Sequence, residues 1–147
     1  MRLTRFTDYS LRVLIYLGQN NENRVTINQI SEAYDISKNH LMKVVSNLTR
    51  LQFVVAQRGP GGGIQLNRLP QDINLADVVA NTEKHLQHVE TSELTDSGEI
   101  SADSRLNGYL QTALNAYLEA LGQFTLADVL GSETGVEDRL GLSEMAA

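Results

Sequence analysis

Few residues of this chain have side chains of the kinds that act in catalysis or metal binding. The most conspicuous stretch of the sequence is rich in glycine. Residues 57–66, QRGPGGGIQL, contain four glycines and one proline. A phosphate-binding P-loop needs a lysine and a hydroxyl residue directly after its last glycine, at the start of a helix. Here Gly63 is followed by Ile64 and Gln65, and the flanking FVVAQ and GIQL have the pattern of short strands. The stretch is therefore predicted to be the tip of a β-hairpin.

The remaining reactive residue types argue against an enzyme. The chain has no cysteine, which excludes disulfides, thiolate metal ligands and cysteine nucleophiles. Its three histidines follow no triad order and no metal-ligand motif. His85 and His88 lie three residues apart near Glu90 and Glu93, which leaves a His/carboxylate site open, although such groups are common on solvated surfaces. We predict no catalytic residue, no metal and no cofactor.

Length and hydropathy indicate one modest domain with an appended element. The chain has 147 residues, a polar opening (MRLTRFTDYSLR) and no apolar run near the roughly 20 residues that a membrane span needs. We expect a cytoplasmic protein that does not bind membranes.

The charge is unevenly distributed along the chain. Residues 1–70 carry nine Lys and Arg against four Asp and Glu, a net charge of +5, whereas residues 71–147 carry three against fourteen, a net charge of −11. Such asymmetry indicates a basic face that meets a polyanion, with chance clustering as the alternative.

Three helices are predicted before the hairpin. Residues 4–19 repeat apolar side chains at helical spacing, Thr26 can cap a short second helix, and Ser37 can cap a longer third one. The apolar face of the third helix consists of Leu41, Val44, Val45, Leu48 and Leu51. A turn of about four residues between the second and third helices is typical of a helix-turn-helix, and the hairpin that follows is typical of a wing.

This arrangement predicts which residues contact double-stranded DNA. Polar side chains at the start of the third helix would enter the major groove, where Asn39 can pair bidentately with adenine. The wing would bring Arg58 and glycine backbone to the sugar-phosphate chain. The full predicted DNA-binding set is Thr26, Ser37, Lys38, Asn39, His40, Lys43, Arg58, Gly59, Gly61, Gly62 and Gly63.

A long helix near the C-terminus is predicted to form a homodimer. Apolar residues recur there at intervals of three and four, which is typical of a coiled-coil-like seam. The predicted dimerisation residues are Leu106, Leu110, Leu114, Tyr117 and Leu121. The alternative is that this seam folds back on the first helix of the same chain.

The blocks LTRFTDYSLRVLIYLG, SKNHLMKVVSNL, RGPGGGIQL and FTLADVL occur in order over roughly residues 1–130. With them the chain resembles the iron-sulfur transcriptional regulator family of NsrR and IscR, and in particular its NsrR-like members. The resemblance implies a mainly α fold with a small β-wing, in which a winged helix-turn-helix domain is joined to a long C-terminal dimerisation helix. The chain as a whole is predicted to contain four segments: a winged helix-turn-helix DNA-binding domain (1–80), a sensor-type loop (81–103), the dimerisation helix (104–130) and a flexible tail (131–147).

The resemblance also implies three cysteines that hold an iron-sulfur cluster, and this chain lacks all of them. The frame Cys, any residue, Ile, three residues, Cys, any residue, Leu matches at Ile100 and Leu106, but Gly98 and Ser104 stand at its cysteine positions. Thr91 stands at the first cysteine position. Asp8 matches a carboxylate that resembles a fourth ligand donated across the dimer, and its alternative role is an ion pair with Arg12, four residues on.

Together these features predict a homodimeric, sequence-specific DNA-binding transcriptional regulator. We expect a repressor that binds a palindromic operator and lacks a cysteine-ligated cluster. The alternative is a dimeric protein-interaction module that kept the scaffold but no longer binds DNA, and the basic wing argues against it.

Overall fold

The computed structural model describes residues 2–86 and 102–131, which contain six α-helices and one antiparallel sheet of two strands. The elements in chain order are α1 (Arg5–Gln19), α2 (Ile27–Tyr34), α3 (Lys38–Arg50), β1 (Val54–Gln57), β2 (Gly63–Leu66), α4 (Leu75–Thr82), α5 (Ala102–Leu121) and α6 (Leu126–Leu130). Short 3-10 turns lie at Pro70–Asp72 and Lys84–Leu86. The predicted fold class is confirmed. In these two ranges no helix is both long enough and apolar enough to cross a membrane.

Helix α1 is central to the core. Thr4 caps it by accepting a hydrogen bond from the backbone N–H of Thr7, and Val13, Leu14 and Leu17 are buried along one face. The helix packs against α3, α4 and α6, and also contacts β2. A single apolar stripe on α1 therefore holds together elements from both ends of the chain.

The hairpin joins this core through a short bridge to the segment before α2. Strands β1 and β2 pair from Val54 opposite Leu66 to Gln57 opposite Gly63. Val25 and Ile64 exchange two backbone hydrogen bonds, of 2.9 and 2.7 Å. Because Val25, Val54 and Ile64 are all buried, the base of the wing is fixed to the helices while its tip projects.

The predicted dimerisation segment 104–130 contains the long helix expected up to about Leu121 and a second, short helix after it. Helix α5 ends at Leu121, and the carbonyl of Gly122 accepts a hydrogen bond of 2.6 Å from the side chain of Asn74. Thr125 and Asp128 then form a capping box that starts α6. The reason for the break is local, because a glycine followed by a new N-cap favours a turn over a continued helix.

The short helix α6 folds back onto the DNA-binding domain predicted for 1–80. The side chain of Leu126 is fully buried, and its N–H donates to the carbonyl of Ile73 at 2.9 Å. Leu130 packs against the core cluster that includes α1. Residues beyond 80 therefore complete the core of the winged-helix domain.

Replacing Leu126 with Ala is expected to lower the free energy of unfolding by about 2–5 kcal/mol, because truncating a buried leucine removes apolar contacts and leaves a cavity. Urea denaturation followed by circular dichroism at one protein concentration measures this, since the chain has no tryptophan. Val129→Ala is the matched control, because Val129 lies on the same helix at 47% exposure and its loss should change the free energy by less than about 0.5 kcal/mol. Equal losses in the two variants would contradict the burial of α6.

Candidate nucleic-acid interface

The turn between α2 and α3 is short and fixed at each end. Asp35 ends α2 in the left-handed conformation, with φ of 53°. The hydroxyl of Ser31 donates to the carbonyl of Ile36 at 2.6 Å, and the Ile36 side chain is buried. Only residues 35–37 separate the two helices, against the four expected. This turn sets the direction in which α3 leaves the core.

Ser37 caps α3, as the sequence predicted. Its hydroxyl accepts a hydrogen bond of 3.3 Å from the backbone N–H of His40. Four of the five predicted apolar residues, Leu41, Val44, Val45 and Leu48, are buried, and Leu51 is half-buried. The predicted contact residues Lys38, Asn39, His40 and Lys43 are all exposed at the start of the same helix. The structure therefore brings these four polar side chains together on the surface.

The tip of the wing combines an exposed arginine with glycines in unusual conformations. Arg58 is exposed, and Gly59 and Gly61 have φ of 91° and 72°, which L side chains rarely adopt. The N–H of Gly62 donates to the carbonyl of Gly59 at 2.8 Å, so this amide closes the turn. A Cβ at Gly62 would come within 2.3 Å of the carbonyl oxygen of Gln57. At least part of the glycine pattern thus serves the hairpin itself.

The segment from the α2–α3 turn through the wing is basic throughout. Residues 36–71 contain no Asp or Glu but five Lys and Arg. Arg68 is committed to the fold, because its guanidinium donates to the carbonyl of Leu51 at 3.2 Å and lies 4.6 Å from the centre of the Phe53 ring. Lys38, Lys43, Arg50 and Arg58 remain exposed, which makes this surface positive in a chain of net charge −6.

Thr26 has a local role beside its predicted contact with DNA. Its side chain accepts a hydrogen bond from the backbone N–H of Gln29, whose own side chain returns to the N–H of Thr26 at 2.8 Å. This capping box stabilises the start of α2. Thr26 is exposed, so its side chain is accessible to a DNA phosphate. Its contacts within the chain neither support nor oppose such an interaction.

Sequence reasoning missed two residues of α1 that lie beside this surface. Arg5 and Tyr9 line a cleft of about 250 Å³ together with His40 and Lys43, and the ring centres of Tyr9 and His40 are 6.0 Å apart. The sequence did indicate that Arg5 and Tyr9 lie on one face of α1, because residues four apart are neighbours on a helix. What the sequence did not reveal is that this face of α1 lies next to the start of α3.

Helix α5 carries an apolar surface that the described part of the chain leaves largely uncovered. None of its residues is buried within those ranges, and Leu106 and Leu110 are 55% and 51% exposed. Leu114, Tyr117 and Leu121 are half-buried, while Tyr109, which was not predicted, is 70% exposed. Helix α5 packs against α4, whereas the C-terminal helix that packs against α1 is α6, so the described contacts do not favour the alternative that this seam folds back on α1.

The donors at the positions expected for an iron-sulfur cluster do not fit a thiolate-ligated group. Asp8 forms an ion pair with Arg12 at 3.0 Å, both side chains being 46% exposed, which is the alternative role predicted for it. Ser104 lies in α5, whereas Thr91 and Gly98 lie outside the described residues. A chain without cysteine offers no thiolate anywhere, and hydroxyl groups are poor ligands for iron-sulfur clusters.

The possible His/carboxylate metal site falls mostly outside the described ranges. His85 is exposed in the turn after α4, and His88, Glu90 and Glu93 lie outside the described residues. Within 2–86 and 102–131, no group of three or more His, Asp or Glu side chains could hold a metal ion.

Comparison with known proteins identifies the family. The Rrf2 family, of iron-dependent transcriptional regulators, matches residues 3–132. The chain belongs to the Rrf2 family. It is 42% identical over 146 residues to the HTH-type transcriptional regulator NsrR of Bacillus licheniformis, which spans 95% of this chain and 99% of that protein. It is also 42% identical over 146 residues to NsrR of Bacillus subtilis, spanning 98% of this chain and 100% of that protein.

Solved structures agree with the fold of this Rrf2 protein. T. potens IscR superimposes with a TM-score of 0.70 at 23% identity, covering 88% of this chain and 86% of that one. CymR, the global cysteine regulator of B. subtilis, gives a TM-score of 0.69 at 22% identity, covering 89% and 97%. At these identities the likeness shows the fold alone. The similarity to NsrR adds that this chain is a transcriptional regulator and not an enzyme, as its sequence predicted.

Proposed function

We propose that this Rrf2 protein is a homodimeric repressor that binds a palindromic site in double-stranded DNA. The observation that carries the proposal is the set of exposed polar side chains at the start of α3, in a segment without acidic residues. Amide and ammonium groups on a helix of this kind can read base edges in the major groove. Such a regulator would act in the cytoplasm, where the chromosome of a bacterium lies.

In this proposal the start of α3 and the wing have different tasks. Asn39 is placed to pair with an adenine edge, and Lys38 and Lys43 to contact guanine or phosphate. His40 and Ser37 complete the same surface. Arg58 and the backbone near Gly59 and Gly61 approach the sugar-phosphate chain, which contributes affinity without base preference.

The two tasks predict different outcomes for two substitutions. Arg58→Ala should weaken binding to all DNA sequences alike and reduce the slope of log affinity against log salt by about 1.8 per dimer, because each of the two wings loses one phosphate contact. Asn39→Ala should also relax base preference, by about 1–3 kcal/mol for a lost bidentate pair. Fluorescence anisotropy over a salt series, with a selected palindromic site and a scrambled duplex, measures both.

Arg12→Ala is the control for Arg58→Ala, because it changes the net charge equally while Arg12 is already paired with Asp8. Its effect on the salt slope should be smaller. A flat salt dependence of the unmodified protein, or no preference for any site in a selection experiment, would contradict DNA binding and favour the alternative of an interaction module.

The exposed apolar surface of α5 supports the homodimer in the proposal. Leu106, Tyr109 and Leu110 are each more than half exposed, and exposed apolar side chains that recur along a helix are typical of an association surface. A two-fold dimer would present two copies of α3 to two half-sites, which is why a palindromic operator is expected.

Leu110→Asp is expected to shift the protein from dimer to monomer at micromolar concentration, because an unpaired charge in an apolar contact is costly. Sedimentation velocity measures the shift. Gln111→Asp is the matched control, since it adds the same charge to the next, exposed position of α5 and should leave the dimer intact. An unchanged dimer in Leu110→Asp would place the interface elsewhere, and a monomeric unmodified protein would contradict the homodimer.

The absence of cysteine supports a regulator that works without a cysteine-ligated cluster. The purified protein is expected to be colourless, and its DNA binding to be indifferent to nitric oxide, oxygen and iron chelators, because Thr91, Gly98 and Ser104 supply no thiolate. An ultraviolet-visible spectrum with iron and sulfide assays after anaerobic reconstitution measures this. Visible absorbance with near-stoichiometric iron and sulfide would contradict the prediction.

A further inference from the structure

A second, larger cleft lies at the far end of α3 from its predicted DNA-reading residues. It has a volume of about 580 Å³, within the range of roughly 300–1,000 Å³ that is usual for small-molecule sites. Its described lining residues come from the start of α1, the end of α3, and α4 with the turn that follows it. They are Thr4, Phe6, Asn47, Arg50, Asn81, Thr82, Lys84 and His85.

The lining of this cleft is positive although the chain as a whole is acidic. Its described lining includes Arg50, Lys84 and His85, but no carboxylate. The one acid between Thr82 and Lys84 is Glu83, and it is committed elsewhere. Glu83 is 6% exposed and its carboxylate accepts a hydrogen bond of 2.6 Å from the backbone N–H of Thr4. The charges of Arg50 and Lys84 are therefore not neutralised by this neighbour.

The cleft also contains groups that could orient a ligand. The guanidinium of Arg50 is held in place by a hydrogen bond of 2.7 Å from its Nη2 to the side-chain oxygen of Asn47. An arginine fixed in this way can present its other N–H donors to a carboxylate or phosphate in a defined direction. Phe6 lines the same cleft and offers an aromatic surface for the apolar part of a ligand.

We propose that this cleft binds a small organic anion, namely a phosphate ester or carboxylate with an aromatic or apolar body. Arg50 and Lys84 contact the anionic group, His85 and the asparagines complete its hydrogen bonds, and Phe6 packs on the body. The occupant contacts α1, α3 and the turn after α4 together. If it binds one orientation of α3 more tightly than another, it changes the affinity for DNA, a consequence that rests on the proposed function.

Isothermal titration calorimetry of the full chain with phenyl phosphate at constant ionic strength tests the binding. We expect saturable binding of one molecule per chain, and weaker binding of inorganic phosphate because it lacks a ring to contact Phe6. Arg50→Gln and Lys84→Gln should each weaken phenyl phosphate binding about tenfold or more. No saturable binding up to about 10 mM would overturn the proposal.

Arg24→Gln is the matched control, because Arg24 is exposed, lies outside the described lining of the cleft and carries the same charge. It should bind phenyl phosphate as the unmodified protein does. An equal loss in Arg24→Gln would show general charge attraction and overturn the site. Circular dichroism of the three variants must match that of the unmodified protein. If Arg50→Gln fails this check, Arg50→Lys takes its place, because it keeps the charge but loses the fork of donors and should still weaken binding.

Arg50 and Lys84 could instead contact a phosphate of bound DNA, and the same variants distinguish this alternative from the binding of a small anion. If Arg50→Gln and Lys84→Gln each lower the salt slope of DNA binding by about 1.8 per dimer, and phenyl phosphate does not bind, the cleft serves DNA and the proposal is overturned. Saturable, Arg50-dependent binding of phenyl phosphate supports the proposal even if the chain proves not to bind DNA, so the failure of the proposed function would be recognised separately.

Discussion

The packing of α3 against α1 is the constraint on which the rest of this structure depends. Leu41, Val44 and Leu48 of α3 share one buried cluster with Leu14 and Leu17 of α1. Because an α-helix has only one face to bury, fixing this face against α1 decides which residues of α3 point outward. The exposed polar surface at the start of α3 follows from this contact, and the cleft at its end forms where α4 and the turn after it join the same pair of helices.

Charge is distributed unevenly in the fold, as buried and exposed residues are on α3. The acid-free stretch 36–71 contains α3 and the wing, and two acids elsewhere in the fold have structural partners. Asp8 pairs with Arg12, and Glu83 accepts the N–H of Thr4. Each of these carboxylates therefore has a local partner within the fold. A chain that is acidic overall can thus keep a strongly positive face, which a net charge alone would not reveal.

The chain keeps the scaffold of the Rrf2 family and has no cysteine that could supply a thiolate ligand. Its exposed α5 surface and its α3 surface need no cluster to form, since both follow from apolar packing and helix capping. Regulation of such a protein has to act through side chains that it does possess. The cleft beside Arg50 and Lys84 is a site where a small anion could contact α3 directly, without any metal chemistry.

Much of the fold could be predicted from the sequence because its signals are local. Thr26 and Ser37 cap helices because their side chains reach backbone N–H groups within three residues, and the glycines of the wing close a turn with their own neighbours. Helical spacing likewise predicted which face of α3 is buried, and the lack of cysteine excluded thiolate chemistry.

Contacts between segments distant in the sequence were decided only by the tertiary structure. The return of Leu126 to the core beside Ile73, the burial of Glu83 against Thr4 and the meeting of Arg5 with Lys43 join residues that no periodicity connects. Each depends on how whole helices pack, and packing is set by the shape of the assembled core instead of by neighbouring residues. The sequence by itself therefore determined the helices and strands and the lack of thiolate chemistry. The packing of the assembled core decided which distant side chains lie next to each other.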